Sequence, residues 1–67
     1  MENIELKKEM LVSKKTQRAL AEETEISLGT INRIVNGETK PNSQQIAKIS
    51  QCLGIYDDPD KIKKIFL

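Results

Sequence analysis

The chain is punctuated so often by helix caps and stops that no long element fits in it. Asn36-Gly37, Gly54 and the pairs Lys40-Pro41 and Asp58-Pro59 each interrupt a regular element, because they favour positive φ, lack a donor or fix φ. Between them the apolar residues recur at intervals of three and four, which is helical spacing. Strand-like alternation is lacking. The pattern predicts five short helices and an all-α fold.

The first helix runs from about Asn3 to Val12, with Asn3 as cap and Leu6 and Met10 on one face. Ser13, Lys14 and Lys15 break it. The second opens at Thr16, whose hydroxyl can cap it, turns Leu20 inward and ends near Glu23 or Thr24. The third opens at Ser27, carries Ile31 and Ile34 inward and stops at Asn36-Gly37. The fourth has the clearest limits: Asn42 caps, Gln45 completes a capping box, Ile46, Ile49 and Leu53 form the buried stripe, and Gly54 ends it. Asp58 caps the fifth, Pro59 takes its first position, and Ile62, Ile65 and Phe66 face inward.

With 67 residues there is room for one domain, residues 1–67, with a thin core. Tyr56 and Phe66 are the only aromatics, so aliphatic side chains must build that core. The expected core set is Leu6, Met10, Leu20, Ile31, Ile34, Ile46, Ile49 and Leu53. A lone cysteine, Cys52, excludes an internal disulfide and reads as core packing; it fits a reducing cytoplasm. No stretch is apolar enough to span a membrane, and the Met-Glu-Asn start is not that of a signal peptide. The net charge of +1 is low for a nucleic-acid binder, but Lys and Arg are clustered at residues 7–8, 14–18 and 61–64, with Glu22, Glu23 and Glu25 as an acidic counterweight.

Function is written between Thr16 and Gly37. Two short helices joined by a tight turn pack through Leu20 and Ala21 against Ile31 and Ile34, with Ile26 plugging the turn. That leaves Ser27, Leu28, Gly29, Asn32 and Arg33 on the outer face of the second of them. A DNA major groove admits one helix. There Arg33 can donate twice to guanine, Asn32 can pair with adenine, and Leu28 and the Thr30 methyl can touch thymine methyls. The plainer reading of Arg33 is a solvated surface residue, of Gln17 a polar helix start, and of Asn36 a helix terminator.

The set Thr16-Gln17, Leu20-Ala21-Glu22, Ile26-Ser27, Thr30-Ile31, Arg33-Ile34, Asn36-Gly37, Lys40-Pro41 and Ile46 to Gly54 resembles the lambda-repressor-like, Cro/C1-type (XRE) helix-turn-helix family. The resemblance covers Leu6 to Ile55. It implies a compact five-helix fold with the motif at about 16–36, and a transcriptional regulator, most often a repressor. It further implies a homodimer on a palindromic double-stranded DNA operator, in the cytoplasm of a bacterium or phage-infected cell. Residue by residue, it implies base contacts from Leu28, Gly29, Asn32 and Arg33 in a reading helix at about 27–35. Phosphate contacts fall to Thr16, Gln17, Ser27, Thr30, Asn36 and Lys40, with Gln17 also bracing the reading residues.

The chain departs from the family pattern in three places. Glu25 stands where the turn often has glycine, and the left-handed region costs a non-glycine residue about 1 kcal/mol, so a differently shaped turn is expected. Leu28 and Gly29 offer no side-chain hydrogen bond, which throws base recognition onto Asn32, Arg33 and DNA shape. Where some members pair Arg with Glu between the first and third helices, Met10 and Val35 stand here, and an apolar contact is expected in place of the ion pair.

No histidine, phosphate-cradling glycine loop or nucleophile–base pattern is present, so no enzymatic role, cofactor, metal site or small-molecule ligand is expected. A second reading stays open: a protein-interaction module on the same scaffold, favoured by Leu28-Gly29, the near-neutral charge and the apolar end Ile65-Phe66-Leu67.

Overall fold

The computed structural model describes residues 1–67. It contains five helices and no strand: α1 (Ile4–Ser13), α2 (Gln17–Thr24), α3 (Leu28–Val35), α4 (Ser43–Leu53) and α5 (Pro59–Phe66). Each opens on the cap that the sequence offers. Asn3, Thr16, Ser27, Asn42 and Asp58 accept from the backbone N–H of Leu6, Ala19, Thr30, Gln45 and Lys61 respectively. Gln45 returns a bond to the Asn42 N–H, closing the capping box. Without these side chains each helix start would leave donors unpaired.

Three helices end in the same pair of backbone bonds. After α4, Gly54 N–H reaches Gln51 O and Ile55 N–H reaches Ser50 O; after α3, Gly37 and Glu38 reach Ile34 and Arg33; after α1, Lys14 and Lys15 reach Leu11 and Met10. The turn needs one left-handed residue, supplied by Gly54, by Gly37 and, against expectation, by Lys14 with φ of 59°.

The end of α2 is built differently, and here the expectation fails. Glu25 does not reshape the turn: it takes the left-handed conformation itself, at φ 61° and ψ 23°. What holds it there is Thr24, which is buried. Its hydroxyl donates to Leu20 O and accepts from Ile26 N–H, spanning the turn from both sides. The strain is thereby retained rather than avoided. Glu25→Gly is expected to raise stability by about 0.5–1 kcal/mol, since relief of the Cβ clash slightly outweighs the added freedom of the unfolded chain. Denaturant titration of the two proteins measures it, and a lower midpoint for the glycine variant would contradict the assignment of strain.

The helices wrap one apolar cluster: Leu6, Met10, Leu20, Ile31, Ile34, Val35, Ile49, Leu53, Ile55 and Ile65. α2 packs on α3 and α4, α1 on α3, α4 and α5, and α5 also on α4. Two expected core residues sit further out. Ile46, in the first turn of α4, is only half-buried. Cys52 lies at the cluster's edge, where its thiol donates to Glu23 Oε1 at 3.4 Å. Burial first, and that bond second, push the Cys52 thiol above the usual range. Lys15 grips both Glu23 oxygens and draws the Glu23 carboxyl below its usual range. Met10 and Val35 both belong to the buried cluster and line one shallow depression beside Thr16 and Gln17.

Both ends of the chain meet at Asn3, which also holds the end of α3. Asn3 N–H bonds Val35 O at 2.9 Å, and Asn3 Nδ2 bonds Ile65 O at 2.9 Å. Glu9, nearly buried, meets Lys61 Nζ at 3.1 Å and ties α1 to α5. The Met1 carbonyl lies so close to Gly37 that no side chain fits there. No helix is long and apolar enough to cross a membrane.

Candidate nucleic-acid interface

The N-terminal end of α2 is held against the side of α3, and the polar side chains on their exposed surface form two hydrogen-bonded chains. In the first, Asn36 Nδ2 donates to Asn32 Oδ1 at 3.2 Å and Asn32 Nδ2 donates to Gln17 Oε1 at 3.2 Å. It joins the first residue of α2, the middle of α3 and the residue just past α3. In the second, Ser27 Oγ donates to Thr30 Oγ1 at 2.8 Å, and Arg33 Nη2 donates to the same oxygen at 3.2 Å.

These bonds set what each group has left to offer. Ser27 Oγ bonds Thr30 Oγ1 and accepts from the Thr30 N–H, so its hydroxyl is held at the start of α3. Thr30 keeps its own proton. Thr16 Oγ1 accepts from Ala19 N–H and also keeps its proton. Gln17 is engaged only through Oε1, so both Nε2 hydrogens point elsewhere. Arg33 has one of its donors engaged and the rest free.

The structure therefore brings together Gln17, Ser27, Thr30, Asn32, Arg33 and Asn36, all exposed or half-buried. Leu28 and Gly29 lie beside them at the start of α3. Leu28 is 42% exposed, so its side chain is available for contact. A Cβ placed on Gly29 would rest 3.9 Å from the Arg33 guanidinium, ordinary contact, so packing within the chain does not require glycine there. Lys40 is exposed in the loop beyond α3 and joins neither chain. Thr24 is the residue that sequence reasoning missed. It touches no part of this face but fixes the angle at which α2 hands over to α3, and a hydroxyl just ahead of the turn was its one signal.

Charge is distributed unevenly. Lys7, Lys8, Lys15, Lys61 and Lys64 pair with Glu2, Glu5, Glu23, Glu9 and Glu5. None of these pairs includes Lys14, Arg18, Arg33, Lys40, Lys48 or Lys63. Arg33 on the α3 face and Lys40 beyond it are thus left without carboxylate partners, as are Lys48 on α4 and Lys63 on α5, while both lysines of α1 are paired.

A helix-turn-helix family model matches residues 6–58 of the chain. The chain belongs to the Cro/C1-type helix-turn-helix family. Its members are DNA-binding regulators and the family is not one of enzymes. The five-helix architecture described above is the lambda-repressor-like fold. No curated protein and no solved structure matches the chain.

Proposed function

We propose that residues 1–67 act as one sequence-specific DNA-binding domain of a repressor, reading an operator through the exposed face of α3. The observation that carries this reading is the pair of hydrogen-bonded chains on that face, flanked by cations that no carboxylate neutralises. In this reading α3 lies in the major groove. Arg33 donates to guanine, Asn32 pairs with adenine, and Leu28 meets a thymine methyl. Gly29 lets the groove wall approach the backbone. Thr16, Gln17, Ser27, Thr30, Asn36 and Lys40 contact phosphates, and Ser27 also caps α3. Two copies bind a palindrome, their reading helices about one DNA turn, ~34 Å, apart. The setting is the cytoplasm of a bacterium or phage-infected cell.

Selection from a random duplex library at two salt concentrations tests this. A palindromic consensus is expected among the winners, with affinity falling steeply as salt rises, because each phosphate contact releases counterions. Failure to enrich any sequence would exclude the reading. It would shift attention to the exposed Leu28 as a contact for a protein partner.

A further inference from the structure

Asn36 ends α3 with its backbone, not its side chain. The Asn36 N–H bonds Asn32 O at 3.0 Å, the N–H groups of Gly37 and Glu38 close Ile34 O and Arg33 O, and Asn3 closes Val35 O. The amide is therefore free of capping duty. It reaches back one turn to Asn32 Oδ1, from which the chain continues to Gln17. We propose that Asn36 is a specificity-determining positioning residue: through Asn32 and Gln17 it fixes the direction of three linked amides and so couples base reading to phosphate engagement. This rests on the DNA-reading function proposed above.

The physical argument concerns direction. An unrestrained amide turns over easily, and each of its ends serves then as donor or acceptor. Turning all three amides together conserves both bonds, so the free relay has two settings. An anion at Gln17 chooses between them, because only Nε2 can donate to it. With Nε2 outward, Oε1 faces Asn32, Asn32 presents Nδ2 to Gln17, and Asn32 Oδ1 is held toward the Asn36 donor. That is the setting observed. Asn32 then keeps one hydrogen and one lone pair in fixed places, the complement of adenine N7 and N6. Guanine shows two acceptors at the same edge, and a locked amide cannot turn to suit it. Without Asn36 the acceptor end of Asn32 loses its restraint.

The test compares the wild type with Asn36→Ala, Asn36→Asp and Lys40→Ala. Each is measured on the best duplex selected from a random library and on duplexes with one base pair replaced at a time. Thermal melting checks folding. Asn36→Ala is expected to lower the preference at a single base pair by about fivefold or more, leaving preferences elsewhere intact. Aspartate can only accept, so Asn36→Asp draws Asn32 Nδ2 toward itself, turns the amide over, and is expected to move the preferred base at that same pair. It carries the test should the alanine variant fail to fold. Lys40→Ala is expected to weaken every duplex by one common factor. If both folded Asn36 variants behave as Lys40→Ala does, with all preferences unchanged, the proposal is overturned. If the wild type itself shows no base preference on any duplex, the DNA-reading function falls, and this proposal with it, before any variant is compared.

Discussion

Leu20→Ala is expected to destabilise the chain by about 2–5 kcal/mol. Leu20 is fully buried, and it belongs to α2, the helix that packs on both α3 and α4. The truncation leaves a void in a cluster whose members Ile31, Ile34 and Ile49 are themselves fully buried, which limits collapse around it. A chain of this length has roughly 3–10 kcal/mol of stability in all. The single change is therefore comparable to the whole, and the melting midpoint is expected to fall by roughly 10 °C or more. Calorimetric or circular-dichroism melts measure it. A loss below about 1 kcal/mol would mean that the cluster repacks around the site, contrary to the close-packed arrangement described.

The second large effect concerns Arg33. Its guanidinium is exposed, lacks a carboxylate partner and spends one donor on Thr30 Oγ1. Arg33→Ala removes no buried contact, so melting is expected to change by less than about 0.5 kcal/mol. Binding to the selected operator is expected to weaken by about 1–3 kcal/mol, with preference lost at one G·C pair. Fluorescence anisotropy on operator and scrambled duplexes separates the two effects. Equal weakening on both would reduce Arg33 to a phosphate contact. No weakening on either would remove α3 from the interface altogether.

Much of this was legible in the residues because helix starts are chemically explicit. Thr16, Ser27, Asn42 and Asp58-Pro59 declare themselves as caps, and every one is used so. Gly37 and Gly54 declare the left-handed residue that two of the helix ends need. Lys14 and Glu25 declare nothing: the surroundings impose positive φ on them, through the backbone bonds of Lys14 and Lys15 and through the Thr24 hydroxyl. Ile55 was hidden for a related reason. It falls after Gly54, outside any helical period, yet the bond from its N–H to Ser50 O folds it back into the core. Ile46 erred the other way, since periodicity gives the side of a helix that faces inward but not how far along it the neighbours reach.

At the candidate interface the sequence supplied the residue types and not their mutual bonds. Six polar residues were legible one by one. Their grouping into the chains Gln17–Asn32–Asn36 and Ser27–Thr30–Arg33 depends on the crossing of α2 and α3, which spacing alone leaves undetermined. The grouping changes roles: Ser27 is tied to Thr30, and Asn36 turns from a stop signal into the end of a relay.

Asn3 has a mechanical consequence. Its two bonds clasp the beginning of α1 to the last turn of α5 and to the final carbonyl of α3. Tension applied at either end of the chain is therefore delivered early to this clasp. The helix that carries Asn32 and Arg33 sits at the loaded point. Force on the N-terminal end would load the grip on Val35, and with it the helix that faces outward through Asn32 and Arg33.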